Sequence, residues 1–322
     1  MKKFLLIALA TCLGLSAQAQ NTTEPKGKAI VHVFGDFHSA LEADSNNRGF
    51  FLERSYLGYE YKLEEGLTLT AIMDVGSSKD VTDMQRIAFV KNAMVSWKKD
   101  KFTINGGIIP TKQIEFQELL WGYRYIMQSY QGQYGYSSSA DLGVSATYAL
   151  DDLSIDATIL NGEGYKKLQQ GDGLYYGVGL TLSPIKGLFV RVYGCLNESG
   201  NKEQSNSANY TLFVGYKTDI VTFGAEHSRM YNTAYTEGAD LFGYSLYTNI
   251  TLSPKTNFYA RFDNIDTNHS LNALKAQQVV TVGAQFKLGK YVKLAPNVKF
   301  NMPKAEGAKE HCTAYLNFFF GF

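Results

Sequence analysis

Apolar and polar residues alternate with a period of two along most of the chain. This is the mark of strands that turn one face to an apolar medium and the other to water. In "LTLTAIMDV", Leu67, Leu69, Ala71, Met73 and Val75 share one face, and Thr68, Thr70 and Asp74 take the other. "DLGVSATYA" sets Leu142, Val144, Ala146 and Tyr148 against Asp141, Gly143, Ser145 and Thr147. "NFYARFD" sets Phe258, Ala260 and Phe262 against Tyr259, Arg261 and Asp263. The closing "HCTAYLNFFFGF" places Ala314, Leu316, Phe318, Phe320 and Phe322 on one face, with Thr313, Tyr315, Asn317 and Phe319 on the other. Phe319 is then an aromatic on a polar face, in need of a neighbour to cover it.

A β-sandwich alternates in the same way, so the joints must decide. Tight turns fall at 64–66, 98–101, 151–152, 183–187, 218–219, 253–256 and 288–290, and a longer polar connection lies between each pair. Short joints interleaved with long ones predict an all-β fold: sixteen antiparallel strands closed into a transmembrane β-barrel, short periplasmic turns at one end and longer loops at the other. Both termini then lie on the short-turn side. Strands running towards that side close with an outward aromatic at Tyr61, Trp97, Tyr148, Tyr216, Phe286 and Phe322, broken only by Leu182 and Ile250. Amphipathic rings prefer the headgroup layer, which makes this a periplasmic girdle. Closure is a physical demand, since an open sheet edge in hydrocarbon leaves backbone groups unpaired. The barrel domain is assigned to residues 20–322.

Composition narrows the picture. The chain has 322 residues, a net charge of +1, 22 Tyr and 20 Phe. Near-neutral charge argues against nucleic acid as a partner, because phosphate binding needs a basic patch. Lys2 and Lys3, the apolar "FLLIALATCLGL" and the small residues of "SAQAQ" read as a signal peptide over 1–19, cleaved after Ala19. The product is exported, and Cys12 leaves with the signal. Cys195 points inward and Cys312 outward, so no disulfide is expected.

The longest connection is the third, from Thr111 to about Ser138. Leu119, Leu120, Trp121, Tyr123, Tyr125 and Ile126 are too much apolar surface for a free external loop. Folded into the lumen, it would pack that surface on the wall and turn its charges to the pore. A short helix and a constriction built from Lys112, Glu115, Glu118, Trp121 and Arg124 are therefore predicted. The alternative is an external loop that packs on its neighbours or makes subunit contacts. Inward faces carry both signs, and Arg54, Glu60, Asp141, Arg191, Glu226, Arg261 and Asp263 are assigned to the pore lining. Lys217, Lys287, Lys293, Lys299, Asp36, Asp74 and Asp156 also face inward. Arg261 and Asp263 sit two apart on one face, placed to pair.

Several segments resemble the phosphate-selective porin-like family of Gram-negative outer membranes, nearest to its Bacteroidetes members. They are "RGFFLERSYLGYEYKL", "FTINGGIIPT", "ILNGEGYKKLQQGDG", "NFYARFDN" and "YVKLAPNVKF", with "LLWGYRY" and "SADLG" between them. The resemblance implies a sixteen-stranded outer-membrane porin, trimeric, seated among membrane lipids and lipopolysaccharide, with the third loop folded inwards. It implies passive diffusion of small polar solutes and ions. Phosphate specificity goes with a ladder of arginines and clustered lysines, whereas this third loop mixes Lys112 and Arg124 with Glu115 and Glu118. The C-terminal strand, with its terminal aromatic, also resembles the signal read by the outer-membrane barrel assembly machinery.

No catalytic set, metal or cofactor is expected. His32 and His38 on the first strand and His311 on the last lie inward on strands that meet at closure, but no carboxylate or cysteine completes a ligand set. Ser228 stands beside His227, yet neighbours on a strand point to opposite faces and cannot form a nucleophile–base pair. A barrel enzyme of lipase or protease type, or an adhesion barrel with a blocked lumen, are the alternative functions.

Overall fold

A computed structural model of the chain describes residues 26–42, 47–77 and 86–322. The signal-peptide reading falls on 1–19, outside the described residues. The sixteen strands are β1 (Gly27–Ala40), β2 (Arg48–Lys62), β3 (Leu67–Ser77), β4 (Arg86–Lys99), β5 (Phe102–Pro110), β6 (Ala140–Ala149), β7 (Leu153–Leu160) and β8 (Tyr175–Leu182), then β9 (Leu188–Asn197), β10 (Ser207–Lys217), β11 (Val221–Tyr231), β12 (Leu241–Ser253), β13 (Thr256–Thr267), β14 (Gln277–Lys287), β15 (Val292–Pro303) and β16 (His311–Gly321). Each pairs antiparallel with its sequence neighbours, and β1 with β16 closes the barrel. At the seam His32 lies opposite Gly321 and Ala40 opposite Thr313. Val31 N donates to Phe322 O (3.1 Å) and Phe322 N to Val31 O (3.0 Å), so the last residue is stitched into the wall.

The alternation read from sequence sorts side chains by wall face. On β8, Tyr176, Val178, Leu180 and Leu182 are exposed outside, while Tyr175, Gly177, Gly179 and Thr181 are buried inside. On β10, Leu212, Val214 and Tyr216 are outside, and Ser207, Asn209, Thr211 and Phe213 inside. A soluble protein would not leave so broad an apolar belt in water.

All seven short joints coincide with the predicted turns, at 63–66, 100–101, 150–152, 183–187, 218–220, 254–255 and 288–291. In the first, Glu65 (φ 58°) and Gly66 (φ 78°) both take positive φ, the geometry of a tight hairpin turn whose twist matches its strands. Gly66 is required there, since a Cβ would lie 2.0 Å from the carbonyl oxygen of Lys98.

Among the described residues the register slips at three places, one of them beside the β12–β13 turn between Thr251 and Ser253, and the other two are β-bulges that bear on the lumen. The β1–β2 register slips between Phe34 and Gly35, leaving Glu53 without an opposite residue. The β3–β4 register slips between Ile72 and Met73, which does the same to Lys91. A bulge re-aims the side chains on either side of it. Glu53 and Arg54, although consecutive, both line the lumen.

Candidate functional site

The third long connection, residues 111–139, folds as two helices, α1 (Lys112–Trp121) and α2 (Tyr130–Tyr134). Gly122, left-handed at φ 73°, ends α1 as its N–H returns to Glu118 O (3.1 Å). The predicted short helix is present, and the loop packs against side chains of the wall. Its beginning is held by β8 and β9. Arg191 pairs with Asp156 (Nη1 to Oδ2, 2.6 Å) and its Nη2 donates to Lys112 O (2.9 Å). The Tyr175 hydroxyl donates to Gln113 Oε1 (2.8 Å). Its far half is held by β11 to β14. Tyr130 OH donates to Asn264 O (2.9 Å), Tyr134 OH to Asp263 Oδ2 (3.1 Å) and Tyr125 OH to Gln285 Oε1 (3.0 Å).

Arg261 is the central clamp. Its Nε and Nη2 each reach a different Asp263 oxygen at 2.8 Å, while Nη1 donates to Gln128 O (2.6 Å). The predicted Arg261–Asp263 pair is thus present, and it fixes the loop as well as itself. The guanidinium also lies 5.1 Å from the ring of Trp121.

Trp121, expected in the constriction, is 1% exposed and lines no channel. It packs edge-on to Tyr247 (centroids 5.0 Å apart) and Tyr259 (6.2 Å), and its indole N–H donates to Met127 O (2.8 Å). An indole holds too much apolar surface to be left in a wet pore when a cleft of aromatic rings is on offer. Burial pushes the neighbouring Tyr123 hydroxyl up to about 12, so it stays neutral at physiological pH.

The pore-lining set is corrected in the same sense. Arg191, Glu226, Arg261 and Asp263 are inside the barrel but 0–5% exposed, because the loop lies on them. Asp141, also 5% exposed, accepts hydrogen bonds from the backbone N–H of Leu142 (2.7 Å) and Gly162 (2.8 Å), and so braces the base of the fourth loop. Arg54 and Glu60 remain accessible. Within the third loop the charges are mutually paired: Lys112 with Glu115 (2.8 Å), and Arg124 with Glu118 (2.7 Å).

The loop crowds the β7–β14 side and leaves space against β1, β2, β15 and β16. A cavity of about 330 Å³ there is bounded by Arg124 to Gln128 of the loop and, on the wall, by Asp36, His38, Glu53, Arg54, Lys299 and Tyr315. Phe319 borders the same region and is covered by neighbouring rings. Its ring lies 5.8 Å from Phe34, 5.8 Å from Tyr125 and 5.4 Å from His32, with Lys293 Nζ 4.9 Å above it.

The fourth loop, 161–174, adds groups that periodicity could not flag. The Tyr165 hydroxyl hydrogen-bonds to Asp74, which Arg54 also approaches (3.5 Å). Lys91, aimed by its bulge, donates to Ser139 Oγ (2.6 Å) and sits over the rings of Tyr56 and Tyr165. Strand alternation cannot report a bulge, so only the register reveals Glu53 and Lys91.

The histidines of the first and last strands are not brought together by closure. Register sets His38 opposite Tyr315 and His32 opposite Gly321, which leaves His311 further along the seam from both. His38 Nδ1 instead contacts Asp36 Oδ1 (2.6 Å). Ser228 is fully buried on the inner face, bonded to Glu226 Oε1 (2.9 Å), while His227 is exposed outside against Tyr210 OH (3.3 Å). Both described cysteines are free.

No family model matches the chain, and no curated protein matches it. Solved structures do. OmpT of Vibrio cholerae, an outer-membrane protein, aligns with a TM-score of 0.65 at 11% identity over 93% of this chain and 99% of that one. A mutant of the Rh. blastica porin aligns with a TM-score of 0.60 at 13% identity, over 92% of this chain and 100% of the other. A form of the Vibrio protein lacking loop L8 gives 0.63 at 12% identity, covering 92% and 100%. At these identities the likeness is one of architecture: the chain has the closed sixteen-stranded barrel fold of the porins.

Proposed function

We propose that the chain is an outer-membrane porin, a water-filled channel for passive diffusion of small polar solutes and ions, inorganic anions among them. The observation that carries this reading is the division of the lumen. The third loop, clamped by Arg261 and Arg191, leaves a polar cavity beside β1, β2, β15 and β16, which supports a passage there. A blocked adhesion barrel has no use for a charged cavity at that point. A barrel enzyme would need a nucleophile and base on one face, and Ser228 and His227 occupy opposite faces. The channel reading therefore includes the absence of catalysis.

The finer assignments belong to the same proposal. Arg124, braced by Glu118, forms the loop's side of the constriction, and Arg54 and Glu60 line the pore; Lys112 and Glu115 border a separate cavity with Asp156, Thr181 and Arg191 of β7 to β9. The chain is a phosphate-selective porin-like protein of Bacteroidetes type, exported by its cleaved signal to a Gram-negative outer membrane. It is inserted there by the barrel assembly machinery through β16, and works as a homotrimer among lipids and lipopolysaccharide. Swelling of proteoliposomes in sugars of increasing size tests the passage. Small sugars should permeate freely and larger ones be cut off sharply; swelling no faster than protein-free vesicles would reject the channel.

A further inference from the structure

The charges around the 330 Å³ cavity are not equivalent. Asp36 is engaged by His38 (2.6 Å), Arg124 by Glu118 (2.7 Å), and Arg54 by Asp74 (3.5 Å) and the Tyr56 hydroxyl (3.2 Å). Two lining ions have no salt-bridge partner within 4.0 Å among the described residues: the Glu53 carboxylate and the Lys299 ammonium. They do not reach each other at that distance either. Lys299 lies over the Tyr315 ring (5.0 Å), which directs its ammonium without neutralising it. Glu53 owes its place to the β-bulge, which turns it inward next to Arg54 when strict alternation would have sent it outside.

Two unneutralised ions of opposite sign, held apart in one concave polar site, are complementary to a solute that carries both charges. A solute with one charge would satisfy one of them and crowd the other. We propose that this cavity is a selection site for zwitterionic solutes of the α-amino-acid class. The solute ammonium binds the Glu53 carboxylate and the solute carboxylate binds Lys299. Gln128, Gln133 and Asn317, which line the same space, offer amide groups to a polar side chain. The assignment rests on the channel reading for its physiological meaning, but binding can be measured without conduction.

The test uses the intact barrel in detergent micelles and saturation-transfer NMR. L-Glutamine is the probe, with glutaramate (no ammonium), 4-aminobutanamide (no carboxylate) and glutaramide (neither charge) as controls. L-Glutamine should bind most tightly. Glu53→Gln and Lys299→Gln should each weaken it by about fivefold, the scale of a solvated ion pair. Both variants should leave the affinity for glutaramide unchanged. Equal binding of all four probes, glutaramate binding as well as L-glutamine, no detectable transfer, or indifference to both substitutions would each overturn the proposal. Bilayer recordings in potassium chloride separate the two readings. A barrel that conducts but does not bind L-glutamine refutes the site alone, and one that binds without conducting refutes the channel alone.

Discussion

Arg261 shows how one inward residue serves both wall and loop. Its fork is filled by Asp263, and its remaining nitrogen holds Gln128 O. Arg261→Met leaves the fully buried Asp263 with only the Ser245 and Tyr134 hydroxyls. Breaking one side of a buried ion pair costs about 3–5 kcal/mol. The expected outcome is a clearly lower urea midpoint in detergent micelles, largely recovered when Asp263→Leu is added. A double variant as unstable as the sum of the singles would deny the pairing. Trp121→Ala should act on the loop more than the barrel. It removes an indole packed on Tyr247 and Tyr259, worth about 3–5 kcal/mol of local seating. Limited proteolysis should then cut within 111–139 sooner, while the barrel keeps its heat-resistant mobility. At this scale sequence was a partial guide. Alternation placed Arg261 and Asp263 on one inner face and so foretold their pair. It could not say that the third loop would lie on them, because burial inside a barrel is decided by a segment distant in sequence. Glu53 escaped notice for another reason: a bulge shifts the period, and period was the only signal.

Among elements, the strands and short turns were legible almost throughout. Each is determined within a few residues by alternation and by turn chemistry such as Glu65–Gly66. The third loop was legible in kind, since its apolar content demanded cover, but not in detail. Its excess apolar surface marked Trp121 for packing as much as for a constriction, and only the cleft between Tyr247 and Tyr259 decides between them. Deleting 113–126 removes α1 and the Trp121–Ile126 run that crowds the lumen. Single-channel conductance should rise severalfold, as expected when a constriction in series with wide vestibules is lost. An unchanged value would mean that the loop does not set the pore.

For the whole molecule, closure is the governing fact. The seam between β1 and β16 satisfies two edges that hydrocarbon cannot tolerate open, and Phe322 contributes both its N–H and its C=O to Val31. Truncation of Phe320 to Phe322 removes those bonds and the pairing at His32 and Val33. Assembled, heat-modifiable barrel in the membrane fraction should fall at least severalfold, while a silent surface-loop change such as Lys202→Ala should not alter it. Closure also creates the lumen, and the third loop then divides it unequally. The claim that unites these levels is that the undivided part is an open, water-filled path. Single-channel recording of the purified barrel in planar bilayers addresses it most directly. Discrete, stable conductance steps that scale with potassium chloride concentration are predicted; a barrel that inserts yet gives no steps above the bare bilayer would contradict it.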